Sequence, residues 1–139
     1  MKTLIAISMA GALMAGTAAL AQGVAAGHAE IMSSIPNNSA TVTDWYKQSV
    51  YDPSDNKIGE VMDVLLAPDG KATTLIVGVG GFLGAGEKDV AVPFSAIKHT
   101  MKNNKVYLTM DTTKDSLKSA PGFKYDRDRT SWVPDASNK

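Results

Sequence analysis

Ile58–Ala67 (IGEVMDVLLA), the triplet Pro68-Asp69-Gly70 and Lys71–Gly80 (KATTLIVGVG) form one continuous passage with a single structural reading. Valine, isoleucine, leucine and threonine fill both runs, and such side chains suit a pleated, half-buried strand. Between them, proline fixes φ at one position and glycine releases it two residues later, the signature of a tight turn. Two paired strands follow. Met62, Val64 and Leu66 share one side of the first strand, while Val61 and Leu65 share the other with Asp63. A strand apolar on both faces lies centrally between two layers. Asp63 is then semi-buried and requires hydrogen-bond partners.

The same texture extends in both directions. Upstream, Trp45–Tyr51 reads as a strand closed by Asp52-Pro53-Ser54-Asp55-Asn56. Downstream, a glycine-rich corner leads to Asp89–Val92 and Phe94. Asn103-Asn104 then turns the chain into Lys105–Met110, where Val106, Leu108 and Met110 face one way and Tyr107 and Thr109 the other. Turn signals roughly every 8–12 residues mark a small all-β barrel or sandwich. Ser95–Met101, after Pro93, reads as one helical turn. A second short helix starts at Thr112-Thr113, with threonine as its N-cap, and stops at Pro121-Gly122. Beyond Tyr125 the sequence is polar and reads as a frayed tail. The expected organisation is a signal segment over 1–21, a flexible leader over 22–43, the β domain over 44–123 and a polar tail over 124–139.

The signal reading rests on Met1-Lys2-Thr3, a short basic start, followed by the uncharged run Leu4–Leu20 and by Ala19-Leu20-Ala21, which supplies the small residues of a cleavage site. The mature protein is then periplasmic and touches a membrane only through the uncleaved segment. The full chain of 139 residues has 14 basic and 14 acidic side chains and no cysteine. Removing residues 1–21 takes away one lysine, leaving a net charge of −1. That balance argues against nucleic acid as a partner, which calls for a basic patch or stripe. Without cysteine there is no disulfide framework, thiolate metal site or cysteine nucleophile. The fold must be held by its core alone.

Patterns that carry chemistry are approached but not completed. In Gly78–Asp89, Gly81 and Gly86 have the spacing of a phosphate loop, yet Glu87 stands where its lysine belongs, and Leu83 replaces the third glycine of a dinucleotide fingerprint. The corner reads instead as a strand-to-strand connection whose glycines supply positive φ. Asp52, Ser54, Asn56 and Asp63 mimic a calcium loop, but Lys57 replaces its obligatory glycine. No serine sits in a nucleophile elbow, and His28 and His99 lie apart, His99 among Lys98 and Lys102. Cofactor-binding, metal-binding and catalytic residues are accordingly expected to be none. Phe82 and Leu83, bulky residues isolated among glycines, read as a plug on the end of the core, with an exposed apolar knuckle docking on a partner as the alternative. Trp45 and Tyr46 read as a core edge with a polar handle, with ligand stacking as the alternative.

The run Val50-Tyr51-Asp52, Lys57–Val61, Asp63–Leu66 and Asp69-Gly70-Lys71, together with Gly78–Phe94 (GVGGFLGAGEKDVAVPF), resembles the PRC-barrel family. That family is named for the photosynthetic reaction centre H subunit and includes the C-terminal domain of a ribosome-maturation factor. The likeness spans Trp45–Met110 and is greatest to small exported alphaproteobacterial members. It implies a barrel of about six short strands, in keeping with the turn spacing. It also implies structural roles for Gly59, Asp63, Gly80, Gly81, Gly84, Gly86 and Pro93, and no catalytic residues, since family members act as adaptor or assembly modules. The function expected is a non-enzymatic exported interaction module whose partner is another protein or a second copy. The alternative is a small-ligand or ion carrier using Asp63, Glu87 and Asp89.

Overall fold

The computed structural model describes residues 29–80 and 86–137. The chain divides into two units, Met1–Ile35 and Pro36–Lys139. In the first, residues 29–35 are exposed and carry no regular element. The signal segment lies outside the described residues. Among the described residues no helix is long and apolar enough to cross a membrane.

The described residues of the second unit form one mixed sheet of eight strands with two short helices. In chain order these are α1 (Val42–Trp45), β1 (Ser49–Tyr51), β2 (Lys57–Leu66), β3 (Ala72–Val79), β4 (Lys88–Pro93), a 3₁₀ turn (Phe94–Ala96), β5 (Ile97–Lys102), β6 (Lys105–Met110), α2 (Lys114–Ser119), β7 (Phe123–Asp126) and β8 (Ser131–Pro134). The strand order across the sheet is β5-β6-β1-β2-β3-β4-β7-β8. All neighbours are antiparallel except β1 and β6.

The stretch Ile58–Gly80 forms the centre. β2 and β3 pair from Glu60↔Gly78 to Leu66↔Ala72, and the turn between them is closed by Gly70 N–H donating to the Ala67 carbonyl at 2.8 Å. Gly70 sits at φ 83°, a conformation costly for any residue with a Cβ. The register slips between Val61 and Asp63, so Met62 bulges. A bulge changes which face the following side chains take. Val61 therefore enters the core, and Val64, three residues later, packs against the same core. That is why both faces of β2 read as apolar.

One cluster holds the domain together. It gathers Val50 from β1, Ile58 and Val61 from β2, Leu75, Val77 and Val79 from β3, Val90 and Val92 from β4, Ile97 from β5 and Leu108 and Met110 from β6, with Trp45 and Leu117 from the helices. A flat sheet cannot present six strands to a single cluster, so the sheet curls around it. Thr113 caps α2, its side-chain oxygen accepting from Ser116 N–H at 3.1 Å. Lys88 Nζ donates to the carbonyls of Lys118 and Ala120 at the far end, at 2.7 and 2.9 Å. A cation is favoured there by the exposed carbonyl ends of the helix.

Four expectations are corrected. Trp45–Tyr51 is not one strand: Thr41 caps a helical turn that ends at Trp45, Lys47 takes φ 61°, and only Ser49–Tyr51 is extended. Ser95–Met101 is not helical beyond its first residues, because Ile97–Lys102 is β5, hairpinned to β6 by Asn103 and Asn104 at φ 53° and 60°. Asparagine tolerates that left-handed pair. The polar tail is not frayed through Pro134, since Phe123–Asp126 and Ser131–Pro134 form the hairpin of β7 and β8. Last, among the described residues the sheet has eight strands rather than about six, and hydrogen bonding does not close it: β5 and β8 are its two margins.

Candidate functional site

Three places on the domain concentrate polar chemistry. The first is the outer face above β2, β3 and β4. Register places Glu60, Gly78 and Asp89 in one row across these strands. Glu87 lays its carboxylate over Gly78, where a Cβ would collide with it. Burial raises the Glu87 pKa, and the nearby charges of Asp89 and Glu60 push it further up, while Lys57 opposes them. Burial alone raises that of Asp89, whose buried Oδ1 has no hydrogen-bond partner among the described residues. Lys57 reaches Glu60 at 3.5 Å.

Asp63 does not join this row. Its register partner is Ile76, and its carboxylate is already engaged: Oδ1 accepts from Val64 N–H and Oδ2 from the Trp132 indole N–H, both at 2.8 Å. The acids invoked for an ion carrier thus split into a pair, Glu87 and Asp89, and a separate Asp63. Among the described residues no group of three or more His, Asp or Glu side chains is placed to hold a metal ion. Asp52 is likewise occupied locally, accepting from the backbones of Ser54 and Asn56 at 2.8 and 2.9 Å as the hinge of a turn.

The second place is the outer face of β1 and β6. Tyr51 and Tyr107 stack at 4.8 Å. The Tyr107 hydroxyl donates to Asp55, and Lys102 stands 4.6 Å from the Tyr107 ring and 3.4 Å from Asp55. The hydrogen bond to Asp55, with some burial and the Asp55 charge, pushes the Tyr107 pKa up to about 12. The same bond and Lys102 hold Asp55 below its usual range. The cluster fastens the Asp52–Asn56 turn to β6.

The third place is the β5 margin. Trp45 is 6% exposed, stacked on Phe94 at 4.7 Å and on His99 at 5.6 Å, so neither of its faces is offered to a ligand. Tyr46, by contrast, is 53% exposed, with Lys47 over its ring. Beside the sandwich lies a cleft of about 520 Å³, bordered by His99 and Met101 of β5, Val106 of β6, Gln48, and Thr43 and Asp44 of α1. Gln48 spans its floor, its amide donating to the Val106 carbonyl at 2.9 Å. From Lys98 to Lys102 every residue of β5 is exposed, Met101 at 62%.

Of the residues singled out from sequence, Gly59 is packed against Val77 and Val79, Gly80 and Gly86 take φ 78° and 74° beside the corner, and Pro93 ends β4 opposite Thr74. Gly81, Phe82, Leu83 and Gly84 lie outside the described residues. Sequence reasoning missed the β5 margin and the Asp63–Trp132 contact. A signal for β5 was present: Ile97, His99 and Met101 alternate before Asn103-Asn104, mirroring Val106, Leu108 and Met110 after it.

No curated protein matches the chain. The sequence pattern of the family described as PRC-barrel domain matches residues 38–117, from the residues before α1 to Leu117 in α2, and leaves the β7–β8 hairpin beyond its end. With that match running through the six strands that share the core, the chain belongs to the PRC-barrel domain family.

Proposed function

We propose that this protein is a non-enzymatic interaction module, exported to the periplasm after cleavage near Ala21, and that its curled sheet is the barrel of its family. The reading is supported by one observation above others: a hydrogen-bonded sheet ends at β5 with a row of exposed residues and a cleft beside it. An open sheet margin is a ready template for another chain. The test is chemical crosslinking in living cells of the mature, epitope-tagged protein. A discrete crosslinked species is expected; a clean monomer under conditions that trap known envelope complexes would overturn the reading.

One observation favours a ligand-carrying role, the buried and unpartnered Asp89 oxygen beside Glu87. A divalent cation held there would raise the melting temperature as its concentration rises above its dissociation constant. Flat melting temperatures across a panel of calcium, magnesium, manganese and zinc would remove this second reading.

A further inference from the structure

We infer that the β5 margin takes an extended segment of a partner protein as an added antiparallel or parallel strand, and that the segment alternates acidic with apolar residues. The inference rests on the interaction-module reading and names the chemistry of the partner. Three features of β5 carry it.

First, the backbone is open. β5 pairs with β6 along its whole length, from Ile97↔Met110 to Lys102↔Lys105, and ends the strand order. In an antiparallel pair only alternate residues bond to the neighbour, so the rest aim their N–H and C=O groups outward. At its start the Ile97 N–H donates to the Phe94 carbonyl, and among the described residues no backbone group outside the β5–β6 ladder bonds to residues 98–102.

Second, the two faces of the margin differ in chemistry, and they alternate. Ile97, His99 and Met101 point to the side of the core and cleft: Ile97 is in the core, His99 stacks on Trp45, and Met101 borders the cleft. Lys98, Thr100 and Lys102 take the other face. A strand laid alongside would set every second side chain beside the lysines and the intervening ones over Met101 and the mouth of the cleft. Methionine suits such contact because its flexible thioether adapts to varied apolar shapes.

Third, the charge is uncompensated. Lys102 is paired with Asp55, but among the described residues Lys98 and Lys105 have no ion-pair partner. Lysines on a free edge discourage indiscriminate pairing. A segment carrying carboxylates at alternate positions meets them with opposite charge, so the same lysines that repel a second copy of β5 select an acidic partner.

The test uses the mature protein and a fluorescein-labelled peptide of alternating glutamate and valine, Glu-Val-Glu-Val-Glu-Val, read by anisotropy and by amide hydrogen exchange. Controls replace its glutamates by lysine or methylate alternate backbone nitrogens. The acidic peptide should bind about tenfold more tightly than the lysine peptide, a difference that salt reduces. The methylated peptide should not bind, and exchange should slow at residues 98–102. Lys98→Glu and Lys105→Glu, both at exposed positions, should reverse the preference between peptides without changing the melting temperature. The inference fails if the acidic peptide does not bind, if the two charges bind alike, or if slowed exchange maps to β8. It also fails if exchange at β5 slows with the protein's own concentration, which would seat a second copy there. None of these failures touches the crosslinking result, which tests interaction as such.

Discussion

Gly59 and Gly78 lie one register step apart on β2 and β3, yet their surroundings set opposite expectations. A Cβ on Gly59 would lie 2.6 Å from Val77 Cγ1 and 2.9 Å from the Gly78 carbonyl, inside the core where neither can retreat. Gly59→Ala should cost about 2 kcal/mol through overpacking, measured by urea unfolding. A Cβ on Gly78 would meet the end of the Glu87 side chain, which can swing into solvent, so Gly78→Ala should cost less than Gly59→Ala. Gly59 was legible in the sequence through its family motif. The role of Gly78 was not, because the carboxylate above it comes from beyond a glycine-rich corner.

The raised carboxyl pKa values of Glu87 and Asp89 predict the sign of a pH dependence. Both carboxyls hold their protons more tightly folded than unfolded. Their contribution to stability is therefore greatest in acid, where both states are protonated, and is lost as pH rises from the ordinary carboxyl range through their raised values. Glu87→Gln and Asp89→Asn should each raise the melting temperature at pH 7, with the gain shrinking toward zero below the carboxyl range. Equal gains at both ends of a pH series would show that desolvated charge is not the cause.

Among the elements, the β7–β8 hairpin shows most clearly where sequence reading stops. Its residues, Phe123-Lys124-Tyr125-Asp126 and Ser131-Trp132-Val133-Pro134, are too polar and too short to announce strands. They are fixed by tertiary contact: Phe123 pairs with Asp89, and the Trp132 indole donates to Asp63. Local periodicity carries no trace of either. Asp63 itself was legible as an acid needing partners, since it sits in a strand with two apolar faces; the partner, 69 residues away, was not. A double-mutant cycle with Asp63→Ala and Trp132→Phe should give a coupling of about 1–2 kcal/mol, as for a half-buried hydrogen bond to a charged group. Additive costs would mean the hairpin is held by its apolar contacts alone.

Helix α2 and the tight turns obey more local rules and were read more fully. Thr113 as the cap of α2 follows from its position before Lys114–Ser119, and its removal in Thr113→Ala should cost about 1 kcal/mol. β5 went the other way. Its alternation is masked by lysine, histidine and threonine, residues suited to a margin, and a short polar run after a proline looks like a helix start. The physical lesson is that margins are composed against strand pairing, so composition hides them.

At the scale of the whole molecule, one core serves six strands while a seventh and eighth extend the sheet past the family-matched span. β-class and strand order along the first hairpin were legible because the centre of the sheet is rich in valine and punctuated by firm turns. Its open margins were not legible, because closure depends on how far the sheet curls, which no local pattern states. The proposed function sits at one of those margins: the buried centre keeps a small domain folded without disulfides, and β5 is the proposed place of contact.

Site-resolved crosslinking in cells tests that claim most directly. The chain has no cysteine of its own, so a single introduced thiol reports on one place. Lys98→Cys and Met101→Cys, loaded with a photoactivatable maleimide, are predicted to trap the same discrete partner, whereas Lys71→Cys at the exposed β2–β3 turn traps none. Adducts of equal yield at all three positions, or none at β5, would contradict it.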